Sequence, residues 1–232
     1  MSKSELGHHR RAAATERLRE IIFGAGHGLV SLIGLTTGLA AGSTPPKTIV
    51  LAGLVSLFTG ATTLFSQQYL AAKSQREVWE HWLTRERDEF KRYPNEEREE
   101  MDLYYSERGF NAEERRMILD RLTKNIDVWL EAHAVHVLKF IPPEPDYPTL
   151  AALYMTGFHV LGAFIPIFPY LILPVANATV VSLGMTLAAL FAIGAAKARV
   201  TGRKWLNSGA EMLVVASSAA LIGFIVGTVL SR

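Results

Sequence analysis

Acidic side chains crowd one region of this chain: Glu77, Glu80, Glu86, Asp88, Glu89, Glu96, Glu97, Glu99, Glu100 and Asp102. Glu86 and Glu89 are three apart, which puts both on one face of a helix, and Glu97 and Glu100 repeat that spacing beyond Pro94. If the two helices fold back as a hairpin, these four carboxylates converge. Hard oxygen donors so arranged suit Mn2+, Mg2+ or Ca2+, and they hold Fe2+ when an imidazole joins them. His133 and His136, three apart further along, are the candidates for that nitrogen. The same spacing also suits a solvated charged surface, because Arg85, Arg87, Arg92 and Arg98 are interleaved and can pair with the glutamates. The region contains no Glu-x-x-His pair of the kind that builds di-iron bundles, which argues against an iron-oxidising enzyme.

The elements that must position these residues are set by how charge is distributed. Charge is nearly absent from Ile21 to Thr44, from Thr48 to Ala72 and from Thr149 to Ala196, and dense from Lys73 to Asp146. A bilayer imposes such segregation, since a charge at mid-membrane costs several kcal/mol. A hydrocarbon core of roughly 30 Å needs about 20 apolar helical residues. Five stretches meet that: 21–41, 48–72, 149–168, 175–196 and 206–230. The expected fold is therefore an all-α integral membrane protein with five transmembrane helices and a cytoplasmic three-helix insert between helices 2 and 3. Its domains are an N-terminal segment (1–20), transmembrane helices 1–2 (21–72), a carboxylate-rich helical domain (73–140), a proline-rich return (141–148) and transmembrane helices 3–5 (149–232).

Within the insert, span two is expected to continue into water as one helix, because no Gly or Pro interrupts it before Pro94. Asn95 is expected to cap a second helix, Glu96 to Glu107, ending at Gly109. Asn111, with Glu114 three residues on, forms a capping box for a third helix running to about Phe140.

Lys and Arg in the short flanks give the orientation. Arg10, Arg11, Arg17 and Arg19 precede span one, Lys73 and Arg76 follow span two, and Lys197, Arg199, Arg203 and Lys204 follow span four, whereas the intervening turns carry Lys47 or nothing. The N-terminus and the 73–148 insert are thus expected in the cytoplasm and the C-terminus on the opposite side. The formal net charge of +2, with no basic stripe, points to no nucleic acid partner, and the absence of Cys rules out thiolate metal ligation. The first apolar run is too long for a signal h-region and reads as a retained span.

Few polar groups interrupt the spans. His27 sits among glycines in the first, Gln67 and Gln68 near the end of the second, His159 in the third and Glu211 early in the fifth. His27 can serve as a structural, metal-binding or proton-carrying ring. His159 reads as structural. Gln67 and Gln68, costly in lipid, are expected to face the bundle interior.

Four strings resemble the vacuolar iron transporter (VIT) family of iron and manganese carriers. GHGLVSLIGLTTGLAAG at 26–42 is similar to that family's DGLVSPFGLVAGLAGA-type segment, and SQQYLAAKSQRE at 66–77 to its GEYVSVKSQRE-type segment. YYSERGF at 104–110 is similar to its IYxxRGL-type segment, and FHVLGAFIPIFPY at 158–170 to its FxxGAxxPxxPY-type segment. The resemblance implies a homodimeric membrane transporter, not an enzyme, that carries Fe2+ or Mn2+ out of the cytoplasm in exchange for protons, with no organic cofactor. Its partners would be the lipid bilayer and divalent metal ions. It also implies that Glu86, Glu89, Glu97 and Glu100, with His133 or His136, bind metal in the insert, and that His27 and Gln68 fall at transport-pathway positions; by their own chemistry Gln67 is open to path lining or interhelical hydrogen bonding, and Glu211 to path lining or the lipid interface. This chain departs from the family pattern there: His27, Leu64 and Gln68 stand where the family has Asp, Met and Glu. The alternative is a non-transporting membrane protein that keeps the metal-binding domain for sensing, storage or interaction.

Overall fold

The computed structural model describes residues 3–139 and 147–231, and the expected proline-rich return falls largely outside them. Helices follow in the order α1 (Lys3–Ala41), α2 (Pro46–Arg92), α3 (Pro94–Ser106), α4 (Ala112–Leu122), α5 (Ile126–His136), α6 (Tyr147–Ile167), α7 (Pro169–Ile172), α8 (Val175–Thr201) and α9 (Trp205–Leu230). Five of them contain stretches long and apolar enough to cross a membrane: Leu18–Ala41 of α1, then α2, Thr149–Ile167 of α6, α8 and α9. Their outward faces leave Val55, Phe58, Val180, Val214, Ile222 and Val229 exposed. In water such faces would be unstable, and in lipid they are solvated.

Two compact units result: Met1–Tyr69 with Pro148–Arg232, and Leu70–Tyr147. In the first, small residues let helix backbones touch. A Cβ at Gly38 of α1 would lie 2.8 Å from the Gly223 carbonyl oxygen of α9, and one at Gly162 of α6 would lie 2.5 Å from the Ala25 carbonyl oxygen of α1. Without a hydrophobic drive between helices in lipid, this close approach supplies the dispersion contact that holds α1 against its neighbours. Leu32, Leu57, Ala163 and Ile167 then join α1, α2 and α6, while Leu29, Leu190 and Ala216 join α1, α8 and α9.

The second unit is held by Phe90, Met101, Leu119, Trp129 and Leu130, one or two from each of its helices. Two expectations need correction. Asn95 is not a cap: Tyr93 holds that position with no side-chain bond, and α3 starts at Pro94. Proline at the first helical position needs no hydrogen-bond acceptor and has φ already set, so the helix begins earlier than an Asn cap would place it. The third helix is also two. Asn111 and Glu114 do form the capping box of α4, but Asn125 accepts hydrogen bonds from the backbone of Asp127 and Val128 and starts α5 afresh. The break turns Leu119 and Leu130 into the same core.

That core sets the first prediction. Met101 is fully buried, whereas Met117 is largely exposed. Met101→Ala should destabilise the 70–147 unit by about 2–5 kcal/mol, while Met117→Ala should cost under about 0.5 kcal/mol. Denaturant unfolding of the detergent-solubilised chain, followed through tryptophan fluorescence, reads both; equal effects would mean that this core is not what holds the unit.

Candidate metal centre

Helix periodicity places the carboxylates of the insert. On α2, Glu86 is four residues before the buried Phe90, and on α3, Glu97 is four before the buried Met101, so both glutamates share the inward face. On α5 the buried run Trp129, Leu130, His133, Ala134 turns His133 the same way. Each of Glu86, Glu97 and His133 can offer one ligand atom within 4.8 Å of the other two. The His133 Nε2 lies 3.2 Å from Glu100 Oε2 and 3.4 Å from Glu97 Oε2, and its Nδ1 lies 3.8 Å from Glu86 Oε2. Phe90 meets the His133 ring edge-on at 5.3 Å between centroids and fixes its plane.

The other acidic residues behave differently. Glu89 is paired with Arg85 at 2.9 Å, Glu80 with Arg76, Asp102 with Arg115, Asp120 with Arg98 and Asp127 with Arg87. These form the solvated, cation-paired surface that the interleaved arginines suggest. Among the described residues, neither Glu86 nor Glu97 forms an ion pair with a lysine or arginine, and both are more than nine-tenths buried. Glu97 Oε2 and His133 Nδ1 have no hydrogen-bond partner. His136, the other candidate nitrogen, is elsewhere: its Nδ1 meets the Tyr104 hydroxyl at 3.2 Å.

Burial without a cation shows in the proton affinities. The Glu97 carboxyl is pushed up to about 7, chiefly by burial and then by Glu100, Glu86 and Glu89. Burial, then Glu89, raises Glu86 as well. Burial holds His133 below the usual imidazole value, only partly offset by Glu100. A neutral imidazole beside carboxylates whose protons a dication can displace is a donor set suited to a divalent metal.

In the spans the structure adds a residue the sequence pattern hides. Glu20, 1% exposed, lies in the first turn of the membrane-crossing part of α1. Its Oε1 accepts from Gln68 Nε2 at 3.2 Å and from Arg19, and its Oε2 has no partner. By composition, position 20 is the polar prelude to an apolar run that begins at Ile21. The signal available was its seven-residue offset from His27, which puts both on one face of α1. Gln68 thus faces inward as expected, but Gln67 is exposed. Glu211 sits in the second turn of α9, 3.0 Å from Arg203 and 3.9 Å from Lys197, neutralised near the start of a span rather than lining its middle. His27 lies on the open face of α1, 5.4 Å between ring centroids from the buried His159.

Residues 18–228 match the sequence profile of the VIT family. The chain is 31% identical over 230 residues to vacuolar iron transporter 1 of Arabidopsis thaliana, covering 98% of this chain and 92% of that protein. It is 32% identical over 212 residues to vacuolar iron transporter 2 of Oryza sativa subsp. japonica, covering 91% and 86%. A vacuolar iron transporter of Plasmodium falciparum is 25% identical over 228 residues, covering 94% and 83%.

The raised Glu97 carboxyl yields a pH prediction. A dication must displace its proton, so Mn2+ affinity of the full chain should fall as pH drops from 8 to 6, approaching about tenfold per unit below the Glu97 value of about 7. In the metal-free protein the folded state holds the Glu97 proton more tightly than the unfolded chain does. The insert should therefore lose stability as pH rises from the ordinary value of 4.5 to about 7, and level off above it. Glu97→Gln should weaken binding and flatten its pH profile; an affinity in the unaltered protein that does not change across this window would place the proton elsewhere.

Proposed function

Because the chain belongs to the VIT family, we propose that it is a membrane transporter of a divalent transition metal, Fe2+ or Mn2+, moving it out of the cytoplasm. The observation that carries this reading is the pair of buried, cation-free glutamates converging on His133. Two or three carboxylate oxygens with one imidazole nitrogen are a donor set for Fe2+ or Mn2+, harder than a zinc site and softer than a calcium site. Glu86, Glu97, Glu100 and His133 form the collecting site on the cytoplasmic side, with Glu89 adding negative potential from its ion pair with Arg85. The Lys and Arg bias of the flanks supports that orientation.

In the spans, Glu20 with Gln68 offers an oxygen-rich entrance, and His27 lies two turns further along the same face of α1. The family's pathway Asp and Glu are replaced here by His27 and Gln68, which would leave a crossing dication with little compensating charge. Glu20 restores one acidic group, and this favours transport over a scaffold that only binds metal. Leu64 is buried and has no donor atom, so it contributes no ligand. Exchange of a mid-membrane ion between the two sides follows the general alternating-access scheme, with protons as counter-ions. An exposed His27 on a membrane span needs a polar or protein surface against it, which a second copy of the chain in a homodimer would supply.

Proteoliposome flux tests the proposal. Reconstituted protein should carry Fe2+ or Mn2+ above empty vesicles. Glu97→Gln with Glu100→Gln should raise the metal concentration for half-maximal flux by about tenfold or more. Glu20→Gln should reduce the maximal rate with less effect on that concentration. Absence of flux across a pH gradient of either sign would reject transport.

A further inference from the structure

His159 is a buried titratable residue of the spans that the transport reading leaves unused. Its Nε2 lies 3.3 Å from the Leu57 carbonyl oxygen of α2. A carbonyl only accepts, so Nε2 carries the proton and donates, and Nδ1 is left as a bare lone pair. That Nδ1 is buried and has no hydrogen-bond partner. One turn earlier on α6, the buried Thr156 Oγ also lacks one. The ring is wedged in place: a Cβ at Gly60 of α2 would lie 2.7 Å from Nε2. An imidazole whose one nitrogen is pinned by a backbone carbonyl and whose other nitrogen is free is oriented as metal-ligating histidines are.

The second ring is already there. His27 lies 5.4 Å from His159 between centroids, the planes tilted by 42°. Two imidazoles on one tetrahedral ion, with metal–nitrogen bonds of about 2.0–2.1 Å, hold their ring centres roughly 5 Å apart. One ring is buried and fixed with its free Nδ1 enclosed, and the other stands exposed on α1 beside it.

We propose that His27 and His159 form a two-nitrogen site inside the spans for divalent transition metals that favour imidazole. This deepens the transport reading and rests on it only in requiring that a dication enters the spans. Nitrogen donors favour Fe2+, Co2+ and Zn2+ over Mn2+ and exclude Mg2+ and Ca2+, so the pair makes the span more selective than the carboxylate site of the insert.

Co2+ is the probe, since its visible spectrum reports nitrogen ligation. The full chain in detergent carries Glu97→Gln and Glu100→Gln, to silence the insert. This parent should bind Co2+ with intensified visible bands. His27→Gln and His159→Gln should each weaken that binding by about tenfold or more. In His159→Gln the introduced amide can still donate to the Leu57 carbonyl, and thermal melting confirms folding. Should His159→Gln fail to fold, His27→Gln, on the open face, decides alone. A parent without the bands, or a folded variant binding like the parent, overturns the site. Flux persisting without the bands would sink this proposal and leave transport standing; bands without flux would do the reverse.

Discussion

A carboxylate cannot be both dry and ionised without a partner, and the glutamates that matter in this chain are dry. Taking a carboxylate out of water costs several kcal/mol, returned only by a well-placed cation or a set of hydrogen-bond donors. Glu86 and Glu97 receive neither from lysine or arginine, although arginines stand one residue away from each in sequence. The core of Phe90, Met101, Leu119, Trp129 and Leu130 forces this arrangement, because folding those side chains together carries the glutamates one turn away into the same interior. A proton on Glu97 relieves the strain, and a dication held there would have to displace it.

The membrane unit obeys the same constraint with fewer groups. Glycine contacts close the seam of α1 against α6 and α9 so tightly that polar side chains on it have few places to turn. Glu20 finds Gln68 and Arg19, yet one oxygen remains unpaired; His159 finds the Leu57 carbonyl, yet one nitrogen remains unpaired. Unsatisfied groups of this kind weaken a lipid-embedded fold.

Much of this was legible in the sequence. Charge segregation alone located the five spans, since length and hydropathy are what lipid selects. The three-residue spacings brought Glu86, Glu97, Glu100 and a histidine of α5 into view. What spacing could not do was choose among neighbours. Glu86 and Glu89 share a face, and only the reach of Arg85 and the position of Phe90 send one inward and tie up the other. His133 rather than His136 follows from the buried run around Leu130, a pattern that was readable but outweighed by the equal chemistry of the two rings. Glu20 was hidden because hydropathy draws a span edge at the first apolar residue, whereas the helix carries the buried seam one residue past it. His159 reads as structural because its unpaired nitrogen depends on a wedge against Gly60, far away in sequence. The break at Asn125 carries no Gly or Pro to mark it.

Anomalous X-ray scattering from crystals of the full chain soaked in Mn2+ would test most directly whether the buried carboxylates exist to hold a cation. A peak bounded by Glu86, Glu97, Glu100 and His133 is expected. Peaks confined to exposed acids such as Glu96 and Glu99, with Glu97 and His133 bare, would contradict it.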